Sequence, residues 1–421
     1  MSGKWVSRIP ESLIAAASLA VFFLLDILDL VMCFIFRIAD GFLEGAASSC
    51  CCVQQRHPSP LHAELSESLH GRRNVVREMV MGFLFLKLPP FLTRKRKGPT
   101  FLTRKNRWSD CGCQSCLSWT TRSALHLLVK QQQREKEEIR AEGENSGQNV
   151  IFIHGFLSSS SLWKETVFLN LSEHSRQNYR LFAVDLLGFG SSPKPEDCPY
   201  TLTNHVEMIE SSVIGPFELS SFHLVAHSMG CVIALALAAK HSASVKSITL
   251  VAPPYFSASR GDATAEALGQ IAARRVWPPL LFFSAFMAWY EHLGRCACFF
   301  LCRNHRFWEW IIKLVTRSRD LHFMTTDVTR HTHHSAWHTM HNVVCGGARF
   351  LDGYLEVLRA AGAKICVVQG GKDEVVPVQC SLNLKMKDPE IELHIIPKAD
   401  HSGVILGRAE EFTRDLERFW A

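Results

Sequence analysis

The chain has 421 residues, 47% of them hydrophobic, with 46 lysines and arginines against 40 aspartates and glutamates and a formal charge of +6. That length suits one large core with additions, not a minimal domain. The positive surplus is small and sits mostly in one local stretch, which argues against a nucleic-acid-binding chain with a basic face along its length. The 15 cysteines are scattered or tightly clustered and lack the regular spacing of a disulfide framework.

Residues 1–48 read as a signal or membrane-anchor segment. Lys4 and Arg8 precede an apolar run, Leu13 to Leu25, which resumes from Leu30 to Phe36. A positive start followed by an apolar stretch is the pattern of secretory targeting, and the combined run is long enough to span a bilayer. Asp26 and Asp29 interrupt it, and carboxylates are costly in hydrocarbon. The competing expectation is an amphipathic helix packed on the catalytic domain. Small residues from Gly45 to Ser49 offer a cleavage site. Cys50, Cys51 and Cys52 follow directly, as S-acylation sites that would add a second membrane signal or as free thiols in a linker.

Residues 49–148 form a basic, cysteine-containing lead-in. Met79 to Leu86 is a short apolar run closed by Pro89 and Pro90, and the basic clusters Arg94 to Lys97 and Arg104-Lys105 come next. These can contact anionic lipid or remain solvated. Between Trp108 and Trp119, Cys111, Cys113 and Cys116 give a C-x-C-x-x-C pattern. Three thiolates at that spacing hold zinc if a fourth ligand comes from elsewhere. No second close pair follows, so a disulfide or a packing motif is preferred and no metal or cofactor is assigned. Gln131 to Glu144 reads as an exposed helix or connection.

From residue 149 strands and helices alternate. Asn149 to Ile153 is a buried strand ending in His154-Gly155-Phe156-Leu157, and the serines Ser158 to Ser161 are expected to cap a helix over 162–171. Tyr179 to Val184 is a strand, after which Asp185 holds the loop through Gly188 and Gly190 by side-chain bonds. Tyr200 to Val213 is helical. Phe222 to Val225 then runs into Ala226-His227-Ser228-Met229-Gly230 and a helix over Cys231 to His241, which reads as a nucleophile elbow lifting the Ser228 hydroxyl above a sheet edge. Ala226 departs from the usual glycine at the first position of that motif. Ser247 to Val251 is the next strand.

The alternation breaks over 255–349. This insert is rich in aromatics, among them Trp289, Trp308 and Trp310, and stands where a lid enters such folds. Burying an acyl chain against it would gain roughly 0.8 kcal/mol per methylene, although packing of the insert on itself accounts for most of these side chains. The run from His331 to His341 places His334, His338 and His341 at helical spacing on one face, and a polar contact between lid and core is expected there, not a metal site. His322 and Asp327 form an H-x-x-x-x-D pattern, taken as coincidental.

Helix Phe350 to Ala361 and strand Lys364 to Val368 restore the order. Asp373 follows in a tight loop, with Glu374 as its rival; Pro377 starts a helix, Glu392 to Ile396 is the last strand, His401 lies in the loop after it, and a helix runs from about Glu410 to Trp420. Strands alternating with helices give a mostly parallel central sheet with helices on both faces, its chemistry at the strand C-terminal ends. The chain order Ser228, Asp373, His401 is that of the α/β-hydrolase triad. The expected class is therefore an α/β-hydrolase fold, with its core at 149–254 and 350–421 and a helical lid insert. Ser228 attacks an ester carbonyl, His401 moves the proton, Asp373 orients the imidazole, and the backbone N–H groups of Phe156 and Met229 receive the oxyanion. A serine at the elbow argues against the epoxide hydrolases and dehalogenases of this fold, which place a carboxylate there. A non-catalytic lipid-binding scaffold remains the rival reading, because a fold alone does not guarantee activity.

The stretches Phe152 to Ser161, Arg180 to Gly190, Ala226 to Cys231 and Trp108 to Cys113 resemble the plant bodyguard family of α/β-hydrolases, over nearly the whole chain. In that family alanine before the elbow is familiar. The resemblance implies a lysophospholipase or related esterase at the epidermal cell surface or cell wall, reached by the secretory pathway, with a role in cutin and suberin formation. It implies a lipid acyl-ester substrate. Neither oligomeric state nor the acyl acceptor, water or an alcohol, is legible.

Overall fold

A computed structural model describes residues 11–44, 65–70, 107–131, 148–256 and 288–420. The chain divides into two compact units. One comprises Met1–Arg56, His70–Trp108 and Ala272–Ala297; the other comprises His57–Leu69, Ser109–Ile271 and Cys298–Ala421. Residues of the 255–349 insert thus fall in both.

In the first unit, Glu11–Glu44 forms one helix of 34 residues. Two of its aspartates, Asp29 within the apolar run and Asp40 beyond it, have protein partners in the same unit. Asp29 accepts hydrogen bonds from the His292 and Leu293 N–H groups at 2.9 and 3.2 Å. Both are at the start of the helix Glu291–Leu301, where free N–H groups and the helix dipole favour an anion. Asp40 forms a two-pronged pair with Arg295 at 2.7 and 2.8 Å and also accepts from Trp108 Nε1 at 2.6 Å. Among the described residues no helix is long and apolar enough to cross a membrane. Cys50 to Cys52, the Met79 to Leu86 run, the basic clusters of the lead-in and nearly all of Gln131 to Glu144 lie outside the described residues.

The second unit is built on a seven-stranded sheet: β1 Leu127–Lys130, β2 Gln148–Ile153, β3 Tyr179–Val184, β4 Phe222–His227, β5 Val245–Val251, β6 Lys364–Gly370 and β7 Glu392–Ile396, in the spatial order β1-β3-β2-β4-β5-β6-β7. β1 pairs antiparallel with β3 and every other pair is parallel. The expected mostly parallel sheet is present. β1 is the addition, a four-residue edge strand that periodicity did not mark because its burial does not alternate.

Side-chain alternation covers both sheet faces. Ile151, Ile153, Leu224 and Ala226 pack to one side with the helices Met229–Lys240 and Leu351–Ala360, while Val150, Phe152 and Val225 pack to the other with Trp163, Phe412 and Trp420. Period-two strands buried on both faces read as nearly continuous apolar runs, as these do. The closing helix Ala409–Trp420 buries Phe412, Leu416 and Trp420, spaced four apart on one face. One local expectation changes. The serine run starts only the short helix Ser161–Glu165, and its N-cap Ser160 makes no side-chain cap bond. The helix beginning in the Tyr200 region is Leu202–Ile209, closed at its start by a capping box between Thr201 and Asn204 and extended by a π-helical turn, Glu210–Ile214.

Candidate active site

The C-terminal ends of β2, β4, β6 and β7 bring their loops together. Ser228 follows β4 with φ 53° and ψ −125°, a conformation that side-chain-bearing residues adopt only when the surroundings enforce it. Its N–H donates to Val251 O at 2.8 Å, tying the turn to β5. Gly230 is required two residues on, because a Cβ there would lie 2.5 Å from the His154 carbonyl oxygen. Ala226 is different. It is fully buried in β4, opposite Ile153 and Leu250, and its methyl is accommodated without displacing the elbow.

His401 Nε2 is 3.1 Å from Ser228 Oγ, and its Nδ1 is 2.8 Å from Asp373 Oδ2. Asp373 is fixed in turn: Oδ1 accepts from the Val375 and Val376 N–H groups at 2.7 and 2.8 Å, and Oδ2 from Gln369 Nε2 at 3.1 Å. Burial alone would raise its pKa, but the bonds from His401 and the two amides hold it below the usual carboxylate value, so it stays ionised. Glu374 is exposed, which separates it from Asp373. The arrangement can draw a proton from a serine hydroxyl onto an imidazole whose tautomer and cation a carboxylate supports.

Two supports were not legible in the sequence. Gln369 bonds Asp373 while its own oxygen accepts from Ser381 at 2.7 Å. His227 packs against His401, with ring centroids 4.8 Å apart and planes tilted by 42°, and donates from Nε2 to the His401 carbonyl at 3.2 Å. Burial, and then the neighbouring His401 charge, push the His227 pKa down to about 3, so its ring is neutral.

The loop after β2 is held by His154. Its Nε2 accepts from the Leu186 N–H at 2.9 Å, which leaves the proton on Nδ1, and Nδ1 donates to Gly155 O at 2.7 Å. Burial lowers its pKa, keeping it neutral. That bond orients the Gly155–Phe156 peptide, and the Phe156 N–H points away from the carbonyl that His154 holds. Met229 is the first residue of its helix, where N–H groups lack intrahelical acceptors.

Phe156, Ser228 and His401 line one cavity of ≈ 240 Å³. Leu157, Leu162 and Ile405 supply apolar wall, and Phe323, Met324 and Val328 bring insert residues to it. Asp327 lines it too. Ser159 Oγ donates to Asp327 Oδ2 at 2.6 Å, while Oδ1 is buried and has no hydrogen-bond partner among the described residues. Burial pushes the Asp327 pKa up to about 6. The H-x-x-x-x-D pattern therefore divides: Asp327 reaches the cavity, whereas the exposed His322 caps the helix Phe323–Asp327, accepting from Met324 N–H at 3.4 Å.

The remaining candidates take other places. Asp185 is structural, as expected, accepting from the Ser160 and Ser191 N–H groups at 2.7 Å each. From the histidine run, His334 meets Cys198 O at 2.9 Å, and the neighbouring Ser335 Oγ donates to Gly188 O at 2.9 Å. His334 and His338 stack at 4.1 Å, while His341 packs on Trp337 at 4.3 Å and meets Ser68 Oγ at 3.0 Å where the helix widens into the π-turn Met340–Cys345. Cys111, Cys113 and Cys116 gather on His305, and Cys298 and Cys302 gather on His331.

The sheet order and the serine at its elbow define an α/β-hydrolase. The alpha/beta hydrolase fold family matches residues 148–407. The chain is 50% identical over 413 residues to an Arabidopsis thaliana protein named "Probable lysophospholipase BODYGUARD 4", covering 96% of each chain. It is 37% identical over 460 residues to "Probable lysophospholipase BODYGUARD 1" of the same plant, covering 97% of each. Within the α/β-hydrolases, the chain belongs to the bodyguard family. Among solved structures it is similar to an enol-lactonase of Burkholderia xenovorans, at 17% identity and a TM-score of 0.46, over 70% of this chain and 96% of that one.

Proposed function

We propose that this protein is a serine hydrolase of lipid acyl esters, of lysophospholipase or carboxylesterase type. The observation that carries the reading is His401, bridging Ser228 and Asp373 beside a cavity with a largely apolar wall. Ser228 Oγ attacks the ester carbonyl as His401 Nε2 takes its proton. The oxyanion is received by the Phe156 and Met229 N–H groups. Collapse expels the alcohol, which leaves with the proton from His401. Water then enters, gives a proton to His401 and releases the acid, returning Ser228. The bodyguard relatives support the lipid ester as substrate class.

A second reading is acyl transfer to the hydroxyl of a hydroxy fatty acid or glycerol, which would build polyester. The same Ser228 acyl-enzyme would be resolved by an alcohol in place of water. In either form the proposed setting is the cell membrane or cell wall, reached by the secretory pathway, in cutin and suberin formation. The N-terminal segment, and acylation of Cys50 to Cys52, would provide membrane association.

The test incubates the full-length protein with lysophospholipids and with glyceryl hydroxy-acyl esters, measuring free acid and oligomer separately, beside Ser228→Ala. Free acid or oligomer that disappears in the variant supports the reading. No product from either substrate, with no labelling by a fluorophosphonate probe, would leave the non-catalytic scaffold as the better account.

A further inference from the structure

The C-x-C-x-x-C stretch has no part in the site described above, yet the fold completes it. Cys111 and Cys113 lie in the loop before the helix Gln114–Thr120 and Cys116 lies in its first turn. His305, the first residue of the helix His305–Thr316, comes from the insert. Its Nε2 is 3.5 Å from Cys113 Sγ and 3.6 Å from Cys116 Sγ, and all four ligand atoms lie within 4.8 Å of one another. A tetrahedral zinc ion, bonded at about 2.3 Å to sulfur and about 2.0 Å to nitrogen, separates its sulfur and nitrogen ligands by roughly 3.5 Å.

Three further observations point the same way. His305 Nδ1 is 3.1 Å from Glu309 Oε1, one helical turn on. A carboxylate on the far nitrogen is the usual partner of a metal-bound imidazole, because it fixes the tautomer and aims the other lone pair at the ion. The Cys113 N–H donates to Cys111 Sγ at 3.4 Å, a bond that supports thiolate charge. The helix Gln114–Thr120 buries none of its residues, so apolar packing does not anchor it.

We propose that Cys111, Cys113, Cys116 and His305 form a structural zinc site. Thiolate-rich ligands with one imidazole select zinc over magnesium or calcium. Four protein ligands close the coordination shell and leave no position for a substrate, which makes the role structural. Binding involves no change in oxidation state: the thiols lose their protons to solvent as zinc–sulfur bonds form, and the neutral imidazole adds its nitrogen lone pair. The ion would join the segment preceding β1 to the insert, across 189 residues between Cys116 and His305. The same insert supplies Phe323, Met324 and Asp327 to the cavity wall, so the clip would hold the part of the chain that shapes it. The cluster of Cys298, Cys302 and His331 is a poorer candidate: it offers three ligands, and His331 Nδ1 has no hydrogen-bond partner among the described residues to orient the ring.

The test uses the full-length protein purified without chelator. Elemental analysis should find one zinc per chain that is lost in His305→Ala and in Cys113→Ser and retained in Cys298→Ser. Cobalt exchange should give thiolate-to-metal charge-transfer absorption. In the parent protein Cys111, Cys113 and Cys116 should resist alkylation until a chelator is added and then react as three free thiols, a reading that needs no variant to fold. Fluorophosphonate labelling of Ser228 reports whether each variant has folded. A disulfide among the three cysteines, absence of zinc from the parent, or loss of the metal in Cys298→Ser but not in His305→Ala would overturn the proposal.

Discussion

Ser159 Oγ donates to Asp327 Oδ2 at 2.6 Å, joining the loop after β2 to the insert at the wall of the cavity that holds Ser228. This carboxyl titrates near 6, above its ordinary 3.8, because burial penalises the charge. Between these values the folded protein holds a proton that the unfolded chain has released. Stability contributed by the protonated carboxyl is therefore complete below about pH 4 and is lost as pH rises to about 6. Asp327→Asn removes that titration. Urea unfolding should show the variant gaining on the parent across this window by up to about 3 kcal/mol and levelling above it. A difference between the two that does not change with pH would contradict the assignment.

Asp373 fixes the imidazole that faces Ser228. Asp373→Asn retains the shape but offers an N–H or a neutral oxygen to His401 Nδ1, which favours the wrong tautomer and withdraws support from the cation. Ester hydrolysis should fall in kcat by about 10³ to 10⁴-fold with KM changed much less. A loss smaller than about tenfold would show that Asp373 is not the orienting acid.

His154 touches no substrate in this reading; it holds the Gly155 carbonyl and through that peptide the Phe156 N–H. His154→Ala should lower kcat by roughly 10 to 100-fold, less than the outright loss of an oxyanion donor. KM should move little, because ground-state binding does not use the donor. Steady-state kinetics separates the two, and an effect on KM alone would assign His154 to packing instead.

The two small positions flanking Ser228 should behave oppositely. At Gly230 an added methyl meets the His154 carbonyl oxygen at 2.5 Å and the Ile153 carbonyl oxygen at 2.8 Å, and backbone cannot step aside cheaply. Gly230→Ala should cost about 1 to 3 kcal/mol in thermal or urea unfolding and distort the elbow, lowering labelling of Ser228. Ala226→Gly should cost about 1 kcal/mol through lost packing and greater freedom of the unfolded chain, with activity within a few-fold of the parent. A large activity gain on Ala226→Gly would mean that the methyl strains the turn.

Much of the core was readable because its signals are local. β3 and β7 run over Tyr179–Val184 and Glu392–Ile396, the bounds their apolar patterns suggest, and Ser228, Asp373 and His401 each stand in the loop after a recognisable strand. β1 was missed because a four-residue edge strand is defined by its pairing with β3, not by its own pattern. Gln369 carries no local signal because its bonds to Asp373 and Ser381 depend on how the loop after β6 folds, and His227 carries none because it meets His401, 174 residues on, only through the sheet. Asp327 was set aside with His322, although only one of the pair belongs to the cavity.

The order of strands, the residue types at their ends and the three clustered cysteines are properties of the sequence alone, since alternation and spacing act over a few residues. Which histidine completes those cysteines, which carboxylate faces the cavity and how two aspartates of the N-terminal helix are neutralised were decided by the tertiary structure. Cys113 and His305 are 192 residues apart, and Asp29 and His292 are 263. Distances of that kind carry no periodic signal; they are set by how strands pair and helices pack, and the chemistry of each group follows from the partners and the burial that packing imposes.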